Sequence, residues 1–235
     1  MNTKGGTYVY YKCYDELYKK YETSRLILER TQEKDYEDLA KIIKNKKVNY
    51  QYQRPIMYLE DNKKAYEYIQ RFSFSTICFT IKLKMDSNII PIGQIGFYYV
   101  NHSVEEIGIF YYLGEEYQKK GYASEAAIPL VKHLFENLPL TKTLKIDFSF
   151  DNIASKKLAL KICDDIMKCH PNYLFGELTP FTDKYTLLSE SPIDGKVQYL
   201  FEGYDGKYYV TYPKNYINHT KNFEILSNGY YIKKQ

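Results

Sequence analysis

The stretch "EIGIFYYLGEEYQKKGYASEA", Glu106–Ala126, decides the fold of this chain. Its first eight residues are rich in aromatic and β-branched side chains, which is typical of a strand. Its last residues begin an apolar helix, which the 3–4 spacing of alanine, leucine and phenylalanine extends from Tyr122 to about Asn137. Between these elements, Gly121 follows Lys119 and Lys120. The stretch therefore predicts a strand, a basic loop and a largely buried helix.

Such a loop is suited to hold an anion. The first turn of a helix carries backbone N–H groups without acceptors inside the helix, and the helix dipole adds about half a positive charge there. Gly121 can adopt conformations that are barred to other residues, and Ala123 is too small to block a ligand. The standard patterns G-x-x-x-x-G-K-[ST] and G-x-G-x-x-G are not matched. Two interpretations follow, an ordinary turn or a cradle for a pyrophosphate.

Length and composition limit the other possibilities. With 235 residues the chain suits one domain with a substantial core, and its net charge of +4 comes from interspersed charges that indicate no nucleic-acid arm. No apolar run approaches the ~18 residues of a membrane span, and the N-terminus lacks a signal-peptide core. We therefore expect a soluble cytoplasmic protein without nucleic-acid or membrane partners. The four cysteines form no CxxC pair, so neither a disulfide framework nor a metal site is expected.

The remaining sequence predicts an α/β protein. Hairpins occur alongside crossovers in the order β-α-α-β-β-β-α-β-α-β, so the sheet is expected to be mixed. The tail is less regular, with a predicted hairpin that turns at Asp205–Gly206 and one or two later strands. Besides the strand and helix above, the predicted strands are 24–30, 75–84, 89–100 and 143–150, and the predicted helices begin near Asp35 and cover 62–72 and 153–168.

Four motifs in this order resemble one known family. Gln118, Gly121 and Ala123 match the motif Gln/Arg-x-x-Gly-x-Gly/Ala of the GNAT superfamily of acetyl-CoA-dependent N-acetyltransferases. The stretches "TSRLILERTQEKD", "PIGQIGF" and "DNIASKKLALKI" are similar to other segments of its RimJ/RimL-type branch. The resemblance covers Thr23 to Ile162.

The resemblance implies the architecture. A GNAT fold has a mixed, mostly antiparallel central sheet that splays between its fourth and fifth strands and is flanked by helices. Here we expect an extended C-terminal β region in addition. The expected organisation is an N-terminal extension over 1–22, the acetyltransferase core over 23–170, and C-terminal strands over 171–235 that complete or cap the same domain.

The resemblance also implies where acetyl-CoA binds. The backbone of the basic loop would hold the pyrophosphate, and the end of the preceding strand would pair with the pantetheine arm like an added strand. Two residues of the next βα unit would contact the cosubstrate as well. The implied residues are Gln118, Lys119, Lys120, Gly121, Tyr122, Ala123 and Ser124 in the loop, Tyr112 and Leu113 on the strand, and Asn152 and Ser155 beyond it.

The match is less regular at the catalytic positions. Glu106 is the candidate general base, but a gapless alignment puts Gly108 at the family's glutamate position. A shift of two residues keeps the face of the strand and moves the carboxylate by about 6–7 Å. Ala159 stands where many relatives carry a tyrosine that serves as general acid, and residues 162–164 replace the usual Leu-Gly-Phe. Glu125 is interpreted as a structural residue that stabilises the helix dipole.

The implied reaction is transfer of the acetyl group of acetyl-CoA to a primary amine by direct attack in a ternary complex, without a metal. The acceptor is either a protein N-terminus or a small molecule such as a polyamine, an amino sugar or an antibiotic, since a fold does not set its substrate. The acceptor site is expected from Tyr50–Phe72 and the C-terminal hairpin. Further alternatives are a non-catalytic CoA-binding module and a protein that keeps only the fold. A monomer or a homodimer is expected.

Overall fold

A computed structural model gives the architecture of residues 18–45, 48, 62–75, 77–100, 103–193, 196–203, 206–213 and 222–235. In these ranges ten strands form one sheet, and four helices accompany it. The strands are β1 (Tyr21–Glu22), β2 (Leu26–Arg30), β3 (Ile77–Lys84), β4 (Ile89–Tyr99), β5 (Glu106–Leu113), β6 (Thr143–Ser149), β7 (Leu174–Ile193), β8 (Lys196–Gly203), β9 (Gly206–Pro213) and β10 (Asn222–Lys233). The helices are α1 (Glu33–Lys44), α2 (Asn62–Ser75), α3 (Tyr122–Asn137) and α4 (Ile153–Cys169).

The sheet is mixed, as the sequence predicts. Its strand order is β1-β2-β3-β4-β5-β6-β10-β7-β8-β9. The pair of β5 and β6 is parallel and every other neighbouring pair is antiparallel. β5 and β6 are the fourth and fifth strands of the prediction, and their register runs only from Glu106–Thr143 to Gly108–Lys145. The expected splay of the GNAT fold is therefore confirmed.

The helices cover opposite faces of the sheet. Ala126, Ala127, the leucines and Phe135 of α3 are buried together with Ile107, Ile109 and Leu113 of β5, and the apolar side of α4 completes this larger core. The apolar residues of α1 and α2 form a second cluster, which includes Tyr112 from the other face of β5. Neighbouring residues of one strand thus serve two different helical layers. No described helix is long and apolar enough to cross a lipid bilayer.

Most predicted elements are present, with differences at their ends and in the tail. α1 begins at Glu33 rather than near Asp35, because the Asp35 carboxylate accepts a 3.1 Å hydrogen bond from the N–H of Gln32 and fixes the first turn. The predicted hairpin appears as β8 and β9, although Asp205 in its turn lies outside the described residues. The sequence-based prediction missed β7. Most of the predicted N-terminal extension, residues 1–17, also lies outside the described part.

Candidate active site

A crevice opens where β5 and β6 separate. Beyond Gly108, β5 stays paired with β4 up to Leu113, and β6 stays paired with β10 up to Ser149. The edges of β5 and β6 that face each other therefore diverge toward the carboxyl ends of the two parallel strands. Helices α3 and α4 begin at these ends. Crevices outside the carboxyl ends of parallel strands are the usual ligand sites of α/β sheets.

The loop after β5 is folded back onto the end of the strand. The N–H of Gly114 donates to the carbonyl of Ile92 at 2.9 Å, and Glu115–Tyr117 form one turn of 3-10 helix. The side-chain amide of Gln118 then donates to the carbonyl of Leu113 at 3.1 Å. Gln118, predicted as a cosubstrate residue, thus shapes the loop and ties it to the strand end at the crevice.

The loop presents backbone N–H groups at the start of α3. Lys119 and Gly121 both have left-handed backbones, with φ of 60° and 83°. The first helical bond runs from the N–H of Glu125 to the carbonyl of Gly121 at 3.0 Å, and no side chain caps the helix. The N–H groups of residues 122–124 therefore have no acceptor within the helix. A succession of left-handed residues before a helix makes a concave donor surface that suits an anion.

Glu125 anchors this helix start to the strand β2. Its carboxylate accepts hydrogen bonds from the hydroxyls of Thr23 at 2.5 Å and Ser24 at 3.2 Å, and from the N–H of Arg25 at 3.0 Å. The guanidinium of Arg25 adds contacts of 2.7 Å and 2.6 Å. Burial alone would raise the pKa of Glu125, but the hydrogen bonds from Thr23 and Arg25 hold it below its ordinary value. The structural interpretation of Glu125 agrees with these contacts.

Arg25 adds a third positive side chain to those of Lys119 and Lys120 at the loop. Its guanidinium donates to the carbonyl of Lys120 at 3.1 Å and lies 4.5 Å from the ring centroid of Tyr122. A Cβ atom built on Gly121 would have Arg25 as its nearest neighbour, at 3.4 Å. Arg25 was not predicted from the sequence, because its partners in the loop lie about a hundred positions later. The exposed side chains of Lys119 and Lys120 complete a basic surface around the donor groups.

The start of α4 forms the other wall of the crevice. The side chain of Asn152 caps this helix by accepting the N–H of Ser155 at 3.0 Å. The hydroxyl of Ser155 lies 2.6 Å from that of Tyr111 on β5. Burial raises the pKa of Tyr111 to about 12, so its phenol is protonated at neutral pH. The two predicted residues, Asn152 and Ser155, are thus brought together at the crevice with Tyr111, which the sequence did not single out.

Tyr111 lies one helical turn from the position that lacks the expected tyrosine. Ala159 follows Ser155 by four residues, so the two lie on the same side of α4. Ala159 is fully buried, and burial raises the pKa of the neighbouring Cys163 thiol to about 12. The phenol of Tyr111 on β5 therefore contacts the side of α4 on which position 159 is an alanine.

Glu106 lies where β5 and β6 are still paired. Its carboxylate forms a 2.6 Å ion pair with Lys145 on β6. Gly108, two residues further on, is covered by the ring of Tyr98, its direct partner on β4. A Cβ atom at position 108 would stand 2.2 Å from Cζ of Tyr98, so no side chain fits there while the ring keeps its place.

Tyr112 is fixed by a buried polar chain on the α1/α2 face. Its hydroxyl donates to Oε1 of Gln94 at 3.1 Å, and Nε2 of Gln94 donates to Thr31 at 3.1 Å and to Ser73 on α2 at 3.2 Å. The strand end with Tyr112 and Leu113 is thereby held rigid next to the loop. Among the described residues, no cluster of three or more His, Cys, Asp and Glu side chains is arranged to bind a metal.

The expected acceptor segments are only partly described. Residues 50–61 lie outside the described ranges, and α2 packs against α1 in the smaller core cluster. The hairpin of β8 and β9 lies at the far edge of the sheet, with β10 and β7 between it and β6. At about 4.8 Å per strand, β8 is three strand spacings from the crevice within the sheet.

Comparison with known proteins agrees with this geometry. The family model described as an acetyltransferase (GNAT) domain matches residues 25–162, more than half of the chain. The matched segment begins at Arg25 and includes the crevice, the loop and most of α4. A search of curated proteins finds no match for the chain.

Solved acetyltransferase structures share the fold over most of the chain. A GNAT-family acetyltransferase from Bacillus anthracis has a TM-score of 0.56 at 16% identity and covers 91% of this chain and 97% of its own. The microcin C7 self-immunity acetyltransferase MccE, in complex with acetyl-CoA and AMP, has a TM-score of 0.53 at 17% identity, with 91% and 94% covered. RimL, a ribosomal L7/L12 alpha-N-protein acetyltransferase in complex with CoA, has a TM-score of 0.54 at 14% identity, with 88% and 94% covered. At these identities the likeness shows that the fold is shared.

Proposed function

This chain belongs to the family of GNAT acetyltransferase domains, and from that premise we propose that it transfers the acetyl group of acetyl-CoA to a primary amine in a ternary complex. The family assignment supports acetyl transfer in general. That the acceptor is a primary amine is the additional part of our proposal. The observation that carries the proposal is the uncapped start of α3 behind the left-handed residues Lys119 and Gly121, at the mouth of the crevice between β5 and β6.

The residues of the loop fit the pyrophosphate of acetyl-CoA. The left-handed residues Lys119 and Gly121 lead into a helix start whose first N–H groups have no acceptor within the helix, and Lys119, Lys120 and Arg25 supply positive charge around them. Gly121 leaves this surface free of a side chain. When bound, acetyl-CoA supplies an activated acetyl thioester, and the diverging edge of β5 up to Tyr112 and Leu113 offers backbone groups to its pantetheine arm.

The start of α4 completes the cosubstrate side of the crevice. Asn152 fixes the first turn of this helix, and Ser155 holds the phenol of Tyr111. A protonated phenol is a hydrogen-bond donor, and a thiolate that leaves the thioester needs such a donor or a water molecule. We assign this role to Tyr111, which compensates for the alanine at position 159.

The acceptor amine needs a carboxylate, because an alkyl ammonium with a pKa of about 10 must lose a proton before attack. Glu106 is the carboxylate that the sequence predicts. Its carboxylate is already engaged in the ion pair with Lys145. Much of the acceleration is expected from holding the two reactants together, which by itself lowers a barrier substantially.

A protein N-terminal amine is the first acceptor class to test, since RimL, an alpha-N-protein acetyltransferase, shares the fold. Small amines such as polyamines and amino sugars are the alternative. The test is a panel of short peptides with different first residues, together with polyamines and amino sugars, assayed for CoA release and for acetylated product. Turnover of peptides above all small amines supports the first class, and the reverse order supports the second.

The binding half of the proposal has its own test. Gly121→Glu puts a carboxylate on the donor surface and is expected to abolish acetyl-CoA binding in a calorimetric titration, with Asn172→Glu in the exposed turn after α4 as the control that adds the same charge. Normal binding by Gly121→Glu would refute the location of the pyrophosphate.

A non-catalytic CoA-binding module is the second candidate. It is favoured by the ion pair between Glu106 and Lys145, which engages the candidate base, and by the alanine at position 159. This candidate predicts acetyl-CoA binding without product formation from any amine in the panel, so the same two measurements separate it from the enzyme.

A further inference from the structure

A tyrosine of β4 reaches across β5 to a carboxylate of β6. The hydroxyl of Tyr98 donates to Oδ1 of Asp147 at 3.0 Å. The ring passes over Gly108, where a Cβ atom would also stand 2.5 Å from the tyrosine hydroxyl. The contact between Tyr98 and Asp147 therefore depends on the absence of a side chain at position 108.

The carboxylate of Asp147 stands at the point where the crevice begins. Asp147 follows Lys145, the last residue of β6 that pairs with β5, by two positions, so both side chains lie on the same face of the sheet. That face is the one on which α1 and α2 pack, because Gln94, which precedes Tyr98 by four residues on β4, contacts Ser73 of α2. The cosubstrate loop belongs to α3 on the opposite face. Asp147 is exposed, so a molecule that approaches from the α1/α2 face has access to it.

The opposite charges near Asp147 pair with each other. Glu106 from β5 and Lys145 from β6 neutralise each other at 2.6 Å. From β10, Gly229 lies opposite Asp147 and the neutral Tyr231 lies opposite Lys145. Within the described part of the chain, the polar partner of Asp147 is the neutral phenol of Tyr98.

Asp147 also acts electrostatically on the group assigned to the leaving thiolate. Burial is the main cause of the raised pKa of Tyr111, and the negative charge of Asp147 adds to it. The carboxylate and the phenol lie on opposite faces of the sheet beside the crevice.

We propose that Asp147 receives the ammonium group of the acceptor and takes up its proton, while Tyr98 holds the carboxylate in place. The inference rests on the proposed acetyl transfer. The ammonium gives one proton to Asp147, which returns it to solvent. The amine nitrogen then forms a bond with the thioester carbonyl carbon as the carbon–sulfur bond breaks. The electron pair leaves with sulfur, and the second proton of the nitrogen ends on that sulfur.

The test compares four variants of the full chain. Asp147→Asn removes the charge, Tyr98→Phe removes only the hydroxyl and keeps the ring over the glycine, and Glu106→Gln tests the competing carboxylate. Asp164→Asn, exposed on α4, is the matched control for loss of an aspartate charge. Each variant is assayed for kcat and KM toward the amine from neutral to alkaline pH, and for acetyl-CoA affinity and amine affinity of the CoA complex by calorimetry.

Asp147→Asn is expected to lower kcat/KM for the amine by about 10²–10⁴-fold at neutral pH, with partial recovery at alkaline pH where the amine is already neutral. It should also weaken amine binding to the CoA complex while acetyl-CoA affinity stays at the wild-type value. Tyr98→Phe should mainly raise KM, by roughly fivefold, the equivalent of one ordinary hydrogen bond. Glu106→Gln should lose less than Asp147→Asn.

The inference is overturned if Asp147→Asn keeps the wild-type kcat/KM and amine affinity, or if Glu106→Gln shows the larger loss with recovery at alkaline pH. In both cases the wild-type protein still acetylates amines, so acetyl transfer itself stands. If the wild-type protein neither binds acetyl-CoA nor acetylates any amine, the proposed function fails and the inference fails with it.

Discussion

Replacing Glu125 by glutamine tests how the loop before α3 is held. Glutamine keeps the size of the side chain but removes the charge and turns an N–H₂ group toward the donors of Arg25. Hydrogen bonds to a charged group contribute about 1.5–3 kcal/mol, against about 0.5–1.5 kcal/mol for neutral ones. The Glu125 side chain is only 16% exposed, whereas that of Arg25 is 46% exposed and is partly screened by solvent. We therefore expect Glu125→Gln to lower the free energy of unfolding by about 2 kcal/mol.

Two assays measure this loss. A decrease of about 2 kcal/mol corresponds to a fall in the melting temperature of about 4–8 °C for a chain of this size. If the loosened loop must be ordered again on binding, the Kd for acetyl-CoA rises by up to about 30-fold, which is the same free energy. Glu37→Gln is the matched control, because Glu37 is 79% exposed and its ion pair with Lys41 is screened by solvent.

The pH dependence of this difference follows from the pKa of Glu125. The folded protein holds that pKa below its ordinary value of 4.5, so the stabilisation is fully present above that value. It is lost as the pH falls below 4.5 through the folded pKa, where wild type and Glu125→Gln converge in stability. Equal melting temperatures and equal acetyl-CoA affinities of Glu125→Gln and the Glu37→Gln control at neutral pH would refute the anchoring role.

Three further substitutions have defined outcomes. Gly121→Ala places a Cβ atom in a left-handed conformation and should cost about 1–2 kcal/mol by thermal melting, whereas Lys120→Ala should cost less; equal effects would argue against backbone strain. Tyr111→Phe should lower kcat by more than tenfold with an unchanged KM for the amine, and an unchanged kcat would remove the phenol from the mechanism. The ammonium of Lys82 pairs with the buried carboxylate of Asp35 at 3.0 Å and with the partly buried carboxylate of Glu29 at 2.9 Å. Lys82→Met leaves both carboxylates without this cation and should cost about 3 kcal/mol at neutral pH, as measured by urea unfolding; a neutral effect would show that these ion pairs do not stabilise the fold.

The central part of the fold is predictable from the sequence because its signals are local. The run from Glu106 to Ala126 contains a strand, a turn and an apolar helix in consecutive residues, and α4 has its cap and apolar spacing in one segment. β7 gives no such signal. Its twenty residues include Pro180, Pro192 and Gly176 and do not alternate regularly. It is a strand because β10 and β8 pair with it on both sides, and those pairings join distant parts of the chain.

The candidate site also contains some residues that the sequence indicates and others that only the fold brings together. The loop residues from Gln118 to Ser124 are visible as a motif because they are contiguous. Arg25 and Glu125 are separated by 100 positions and Tyr98 and Asp147 by 49, so only the fold brings these pairs together. Gly108 illustrates the difference most clearly. In the sequence it is a departure from the family pattern, whereas in the structure it makes room for the tyrosine that holds Asp147.

The most direct test of acetyl transfer to an amine is a single-turnover experiment with acetyl-CoA that carries an isotopic label in its acetyl group. Mass spectrometry follows the label into the amine while a thiol reagent records free CoA. Our account predicts one labelled, acetylated amine for each thiol released by the wild-type protein, and neither product with Gly121→Glu. Thiol release without label in any amine, or retention of the label in intact acetyl-CoA with every amine tested, would contradict it.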